Sequence, residues 1–347
     1  MKAAVLYGNE DLRYDEWETP VCGDNDVKVR IRAAGICGSD VPRVLHNGAH
    51  FYPVVLGHEF SGDVVETGKN VTKIKVGDTV SGAPLLPCME CEDCKKGDFA
   101  LCKHYSFIGS RQQGSFADYV VLPETNAVKY DSSVPYEQAA MFEPSAVAAH
   151  GLLHAGINGG TVAVLGLGTI GIFALQWARI LGAEKTVAFD IDDSRLALAR
   201  RMGADETVNT LKPEYLDEAK ALTGGRGFDA VIESAGSPVT MKMAFALAAN
   251  KAKLCFIGTP HRELAFTPAE WENMNRKEFT LTGSWMSYSA PFPGREWDLT
   301  AEHFADGSLK FDPEFIFRTF PMSRAAEAFA LYKNPSQVHG KIMLIND

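Results

Sequence analysis

The run Thr161-Val-Ala-Val-Leu-Gly-Leu-Gly-Thr-Ile-Gly171 constrains the fold more than any other segment. A short apolar run ends at Gly166, Gly168 and Gly171 complete a G-x-G-x-x-G pattern, and IGIFALQWARILGA continues with helical periodicity. Glycines at these places allow a tight strand-to-helix turn, let the backbone approach a pyrophosphate, and leave the helix N-terminus facing its charge. Asp190 follows 19 residues after Gly171, at the end of the next expected strand, TVAFDI. A carboxylate there meets ribose hydroxyls and repels a 2′-phosphate, so the pattern predicts a site for NAD rather than NADP. Arg195 stands close enough to touch the same ribose. A glycine turn that serves only helix–sheet packing is the competing explanation, and the complete βαβ context argues against it.

From about residue 144 to 284 the alternation continues. SRLALARRMGA reads as a second helix, FDAVIESAG as a third strand, and KLCFIGTP and EFTLTGSW as later strands. Strands separated by helices of this length predict a parallel, doubly wound sheet. Residues 1–143 are β-rich instead: VKVRIRAAGI, EFSGDVVETG and FADYVVLP alternate or run apolar between Gly, Pro, Asp and Asn. The tail carries an alanine-rich helix near SRAAEAFALY and ends in the apolar strand HGKIMLI. At 347 residues the chain exceeds one ordinary core. The expected class is α/β, with 1–143 and 285–347 forming a β-rich domain and 144–284 the dinucleotide domain.

Two partner classes are excluded at this stage. The net charge is −10 and no basic block offsets it, which argues against nucleic acid. The stretch 154–178 carries no Asp, Glu, Lys or Arg and is long enough for a membrane helix, which needs roughly 20 residues. Its six glycines suit a buried strand, turn and helix start instead. MKAAVLYGNEDLRYDEW has no apolar signal core, so a cytoplasmic protein is expected.

Seven cysteines are present, and four of them form Cys88-x2-Cys91-x2-Cys94-x7-Cys102. Four thiolates at these intervals can surround one tetrahedral ion, and a closed shell of sulfur leaves no place for substrate. This loop is expected to hold a structural zinc. A second group is dispersed: Cys37 in GICGSD, His58 and Glu59 in LGHEF, and Glu143 in MFEPS. One thiolate, one imidazole and one carboxylate would give a mixed shell with an exchangeable position, as a catalytic zinc needs. Taken singly, Cys37 reads equally as a small buried hydrophobe and His58 as a satisfied core residue.

GICGSD, GHEFSGDVVETGKNV (57–71), the four-cysteine loop, GLGTIG and the closing HGKIML resemble, in that order, the zinc-containing medium-chain alcohol dehydrogenases. EPSAVAAH resembles the polyol branch of that family. The resemblance implies a GroES-like catalytic domain, a Rossmann cofactor domain, two Zn2+ per chain, NAD, and a homodimer or homotetramer. It implies Cys37 and His58 as zinc ligands, with Glu143 as the preferred third ligand and Glu59 as the alternate. Ser39 matches the hydroxyl that relays the alcohol's proton; where many relatives continue through histidine, this chain has Pro42. Lys341 matches a basic residue near the cofactor pyrophosphate. The implied reaction is hydride transfer from a secondary alcohol of a polyol or polyol phosphate. For a phosphate, Arg43, Arg111 and Arg295 are candidate cations. GSWMSYSAPFPGREW is rich in aromatic and polar residues that suit a hydroxylated substrate, although Trp285 and Trp297 are equally readable as core.

Overall fold

The computed structural model describes residues 1–334 and 337–346; Pro335, Ser336 and Asp347, which fall within the expected 285–347 segment, lie outside the described residues. The chain divides into two compact units, Met1–Glu143 with Tyr288–Gly307 and Pro313–Asp347, and Pro144–Ser287 with Ser308–Asp312. Residues 285–287 and 308–312 therefore cluster with the second unit rather than the first. Local bonds account for the second of these segments. The Lys310 amide donates to Gln176 Oε1 at 2.7 Å, and Arg201 Nε pairs with Asp312 at 2.6 Å.

The first unit is built on a seven-stranded sheet. Strand Asp26–Gly35 lies at its centre, antiparallel to Glu59–Thr67, to Tyr119–Pro123 and to Lys341–Ile345. A three-stranded sheet of Lys2–Gly8, Asp11–Glu16 and Val54–Val55 stands beside it. Val27, Val29 and Ile31 alternate inward along the central strand with Phe60, Phe116 and Ile342, all essentially without exposure. Burial of such alternating faces is what an antiparallel sheet with one core side requires. Two register shifts, at Lys28/Val29 and Ile31/Ala33, re-aim the strand so that Gly35 faces Glu59. A methyl at Gly35 would run into the Glu59 carboxylate, so the missing side chain is what admits Glu59 there.

The second unit is a six-stranded, all-parallel sheet ordered Glu206–Asn209, Lys185–Asp190, Thr161–Leu165, Phe228–Glu233, Ala248–Phe256 and Thr280–Gly283. Numbered along the unit this is 3-2-1-4-5-6, the doubly wound order, which reverses beside the first strand. The inner strands Thr161–Leu165, Lys185–Asp190 and Phe228–Glu233 are almost wholly buried, as a parallel sheet covered by helices on both faces requires. Three helix starts have a local cause: Asp192 caps Asp193–Arg201, Ser237 caps Pro238–Leu247, and Thr267 and Glu270 form a capping box on Pro268–Lys277. Residues 154–178, the possible membrane segment, form the strand Thr161–Leu165 and most of helix Thr169–Ile180. Among the described residues no helix is long and apolar enough to cross a membrane.

Candidate active site and metal centres

The four-cysteine loop folds as a short α-helix, Glu92–Lys96, with Cys91 as its N-cap and Cys94 on its buried side, followed by a 3-10 turn, Phe99–Leu101, that ends at Cys102. One sulfur from each of Cys88, Cys91, Cys94 and Cys102 lies within 4.8 Å of the others. Cys88 Sγ and Cys94 Sγ are 4.0 Å apart. A disulfide needs about 2.05 Å, whereas sulfurs about 2.3 Å from one tetrahedral zinc lie roughly 3.8 Å apart, so the spacing suits a shared ion. The amides of Cys91 and Cys88 donate to Cys88 Sγ and Cys102 Sγ, each at 3.3 Å. Backbone amides of Glu90 and Cys91 draw the Cys88 thiol down to about 6, while burial pushes Cys94 up to about 12. Four thiols packed this closely resist ionising together unless a cation compensates them.

The dispersed group also converges. Cys37 lies two residues past strand Asp26–Gly35, and Glu59 opens the strand paired to it, with His58 immediately before. Ligand atoms of Cys37, His58 and Glu59 lie within 4.8 Å of one another. Glu143, the carboxylate expected to come first, is not in that group. It enters from the first turn of helix Phe142–His154 and is 9 % exposed. Burial raises its carboxyl to about 7, opposed by His58 and reinforced by Glu59, so it shares the electrostatics of the same pocket.

Asp40, at the start of helix Asp40–Leu45, is a residue that the motif reading passed over. It is fully buried, accepts from the Cys37 amide at 3.3 Å, and has Oδ1 3.5 Å from His58 Nδ1. Among the described residues neither of those two facing atoms has another hydrogen-bond partner. Burial alone would depress His58, but Asp40 and Cys37 outweigh it and hold the imidazole well above its usual value. With Nδ1 turned to Asp40, Nε2 is the nitrogen available to a metal, a common arrangement for ligating histidines. The signal was available in GICGSD, where an acid opens a helix two residues beyond a glycine.

Ser39 is exposed and its Oγ lies 3.3 Å from Cys37 Sγ. Pro42 sits in the first turn of the same helix. Lys341, expected near a pyrophosphate, is 5 % exposed and donates to Glu59 Oε2 at 2.5 Å and to the Ile36 carbonyl at 3.2 Å. Pairing with Glu59 and Cys37 overcomes burial and raises its pKa. Its described contacts thus join it to the Cys37–Glu59 group.

In the second unit Gly166 adopts φ +88°, and a Cβ at Gly171 would strike the Gly166 carbonyl. Gly168, the N-cap of Thr169–Ile180, has open space where a Cβ would stand. Asp190 ends its strand 7 % exposed. Its Oδ2 accepts the Leu167 amide at 2.7 Å, and its Oδ1 accepts those of Ile191 and Asp192 at 2.8 and 3.0 Å. It therefore clamps the glycine turn; a carboxylate has about four acceptor sites, so one remains. Arg195 Nη1 lies 4.0 Å away. Trp297 is fully buried in the first unit, while Trp285 is 55 % exposed.

Comparison with known proteins agrees with this geometry. Residues 23–132 match the family described as "Alcohol dehydrogenase GroES-like domain", and 169–302 match "Zinc-binding dehydrogenase". Galactitol 1-phosphate 5-dehydrogenase of Escherichia coli (strain K12) is 38% identical over 347 residues, spanning 99% of this chain and 100% of that protein. The crystal structure of galactitol-1-phosphate dehydrogenase from Escherichia coli superposes with a TM-score of 0.93 at 37% identity, over 99% of this chain and 100% of the other. Sorbitol dehydrogenase of Bacillus subtilis (strain 168) is 32% identical over 266 residues, 75% of each chain. A zinc-binding dehydrogenase from Sinorhizobium meliloti 1021, bound to NADP, matches at TM-score 0.88 and 30% identity, over 99% of this chain and 98% of that one. The chain is an enzyme, an oxidoreductase that belongs to the zinc-binding medium-chain alcohol and polyol dehydrogenases.

Proposed function

We propose that the protein oxidises a secondary alcohol of a polyol phosphate, galactitol 1-phosphate to a keto-sugar phosphate, with NAD as hydride acceptor. The observation that carries this is the Cys37–His58–Glu59 group with the Ser39 hydroxyl beside it. Its donor set fits a catalytic zinc, and the four-sulfur loop fits a structural one. Cys37, His58 and Glu59 would hold the first, with Glu143 in reserve. A zinc held there would supply the Lewis acidity that makes an alcohol's proton removable, and a nicotinamide bound at the glycine turn would supply the hydride acceptor. Asp40 holds the His58 ring in one orientation, and Lys341 holds Glu59. Ser39 receives the proton and, with proline at position 42, passes it to solvent water. Gly166, Gly168 and Gly171 admit the pyrophosphate, and Asp190 offers its remaining acceptor site to a ribose hydroxyl, favouring NAD. Arg195 flanks that ribose. The first unit would thus serve as catalytic domain and the second as cofactor domain.

A free polyol such as sorbitol is the second reading, favoured by the likeness to the Bacillus subtilis enzyme. Seven cysteines without a disulfide suit a reducing, cytoplasmic setting. The edge strand Thr280–Gly283, with Leu281 40 % exposed, suits assembly into a homodimer or homotetramer. The test is NADH formation by zinc-loaded enzyme with galactitol 1-phosphate, galactitol and sorbitol. Oxidation of the phosphorylated polyol with NAD well above NADP supports the proposal; faster turnover of the free polyols replaces it with the second reading.

A further inference from the structure

Strand Phe228–Glu233 of the second unit ends on a carboxylate with no exposure. It runs beside Thr161–Leu165, with Leu165 opposite Glu233, and these are the two strands between which the order 3-2-1-4-5-6 reverses. In a doubly wound sheet the crevice outside the carboxyl ends of such a pair takes a dinucleotide, one mononucleotide half on each side. In the reading proposed above, Asp190 at the end of the second strand serves the adenosine side. Glu233 ends the fourth strand, across the reversal from it.

Glu233 ties two loops together. Its Oε1 accepts the Ala235 and Gly236 amides at 3.0 Å each and the Thr240 hydroxyl at 2.7 Å. Its main-chain carbonyl accepts the Ile257 and Gly258 amides at 2.9 and 3.1 Å. The loops that follow Phe228–Glu233 and Ala248–Phe256 are thus held by one residue, and they pack closely. A Cβ at Gly258 would run into the Gly236 amide and Glu233 Oε2, and a Cβ at Gly236, whose φ is +64°, would strike the Thr259 backbone. The first of these loops also reaches the glycine turn: the Ser234 hydroxyl donates to the Gly166 carbonyl at 2.9 Å, and a Cβ at Gly166 would meet Ala235. Oε2 is buried, and among the described residues it has no hydrogen-bond partner. A buried carboxylate with one oxygen unpaired costs free energy. Starting the helix Pro238–Leu247 does not require it, because Ser237 already caps that helix. An apolar side chain could fill the space, but it would leave the Ala235 and Gly236 amides without this acceptor. What the carboxylate supplies is a fixed shape for two adjoining loops at the carboxyl edge of the sheet.

We propose that Glu233 is a positioning residue for the nicotinamide half of the cofactor, holding loops 234–237 and 257–259 in the shape that receives that mononucleotide. This rests on the reading of the second unit as the cofactor domain. Its effect passes through the backbone of the two loops, as that of Asp190 passes through the glycine turn on the adenosine side.

The test measures, by titration calorimetry, the binding of NADH and of 5′-AMP, which carries only the adenosine half. The proteins are wild type, Glu233→Ala, Glu233→Gln and Thr240→Val. In Glu233→Ala the Kd for NADH should rise about 10- to 100-fold while that for 5′-AMP stays within about twofold, as loss of acceptors on one side of the crevice implies. Glu233→Gln keeps an acceptor oxygen and should recover most of the loss. Thr240→Val removes one donor and should raise the NADH value about 3- to 10-fold, again sparing 5′-AMP. This variant carries the test if Glu233→Ala does not fold. Equal weakening of both ligands, weakening of neither, or a Gln variant no better than Ala overturns the positioning role alone. A wild type that binds neither ligand overturns the cofactor-domain reading along with it.

Discussion

At the scale of single residues, the proposed chemistry turns on how little separates Ser39 from Cys37. The hydroxyl touches the sulfur and is exposed, so it has one inward and one outward neighbour, as a proton relay requires. Ser39→Ala should lower kcat about 100-fold while the Kd for NADH, read by its nicotinamide fluorescence, stays put. Asp40 acts one step further out. Its carboxylate orients His58 and caps the Cys37 amide, so Asp40→Asn keeps the volume and loses the charge. Metal affinity at this centre should drop about 10- to 100-fold, seen as the loss of one zinc equivalent on dialysis against a weak chelator. A variant that retains both equivalents would relegate Asp40 to a helix-start role.

At the scale of elements, one connection between strands is held by a hydrogen-bonded acid. Glu124, after strand Tyr119–Pro123, accepts three successive amides: Thr72 at 2.8 Å, Lys73 at 2.5 Å and Ile74 at 3.2 Å. The Lys73 amide leads the interactions that hold its carboxyl below the usual 4.5. A depressed folded pKa means stability that is present above the unfolded value and lost as pH falls through the folded one. Glu124→Gln should cost about 1–2 kcal/mol at pH 7, and the gap to wild type should narrow as pH falls below about 4.5. Urea unfolding between pH 7 and pH 4 measures it, and a gap that widens toward acid contradicts the role. The same tightening explains what could not be read locally: the strand Glu206–Asn209 contains one buried residue, Val208, and shows no apolar run, so only pairing to Lys185–Asp190 reveals it.

At the scale of the whole molecule, both candidate metal-ligand groups fall in the first unit and the glycine turn in the second. Chelation should therefore raise amide exchange around 37–59 and 88–102 and spare 161–233, whereas NAD should protect the latter span. Hydrogen exchange by mass spectrometry distinguishes this from a uniform loosening of both units. The sequence by itself determined the parallel sheet, the glycine turn and the four-sulfur loop. Each depends on residues within a few positions of one another, where spacing and periodicity report geometry directly. Only the tertiary structure decided that Glu59 rather than Glu143 joins Cys37 and His58, that Asp40 faces the imidazole, and that Lys341 belongs with Glu59, 282 residues away. Those choices follow from strand register and from a glycine that leaves room for a carboxylate, and neither is written in the spacing of the ligands themselves.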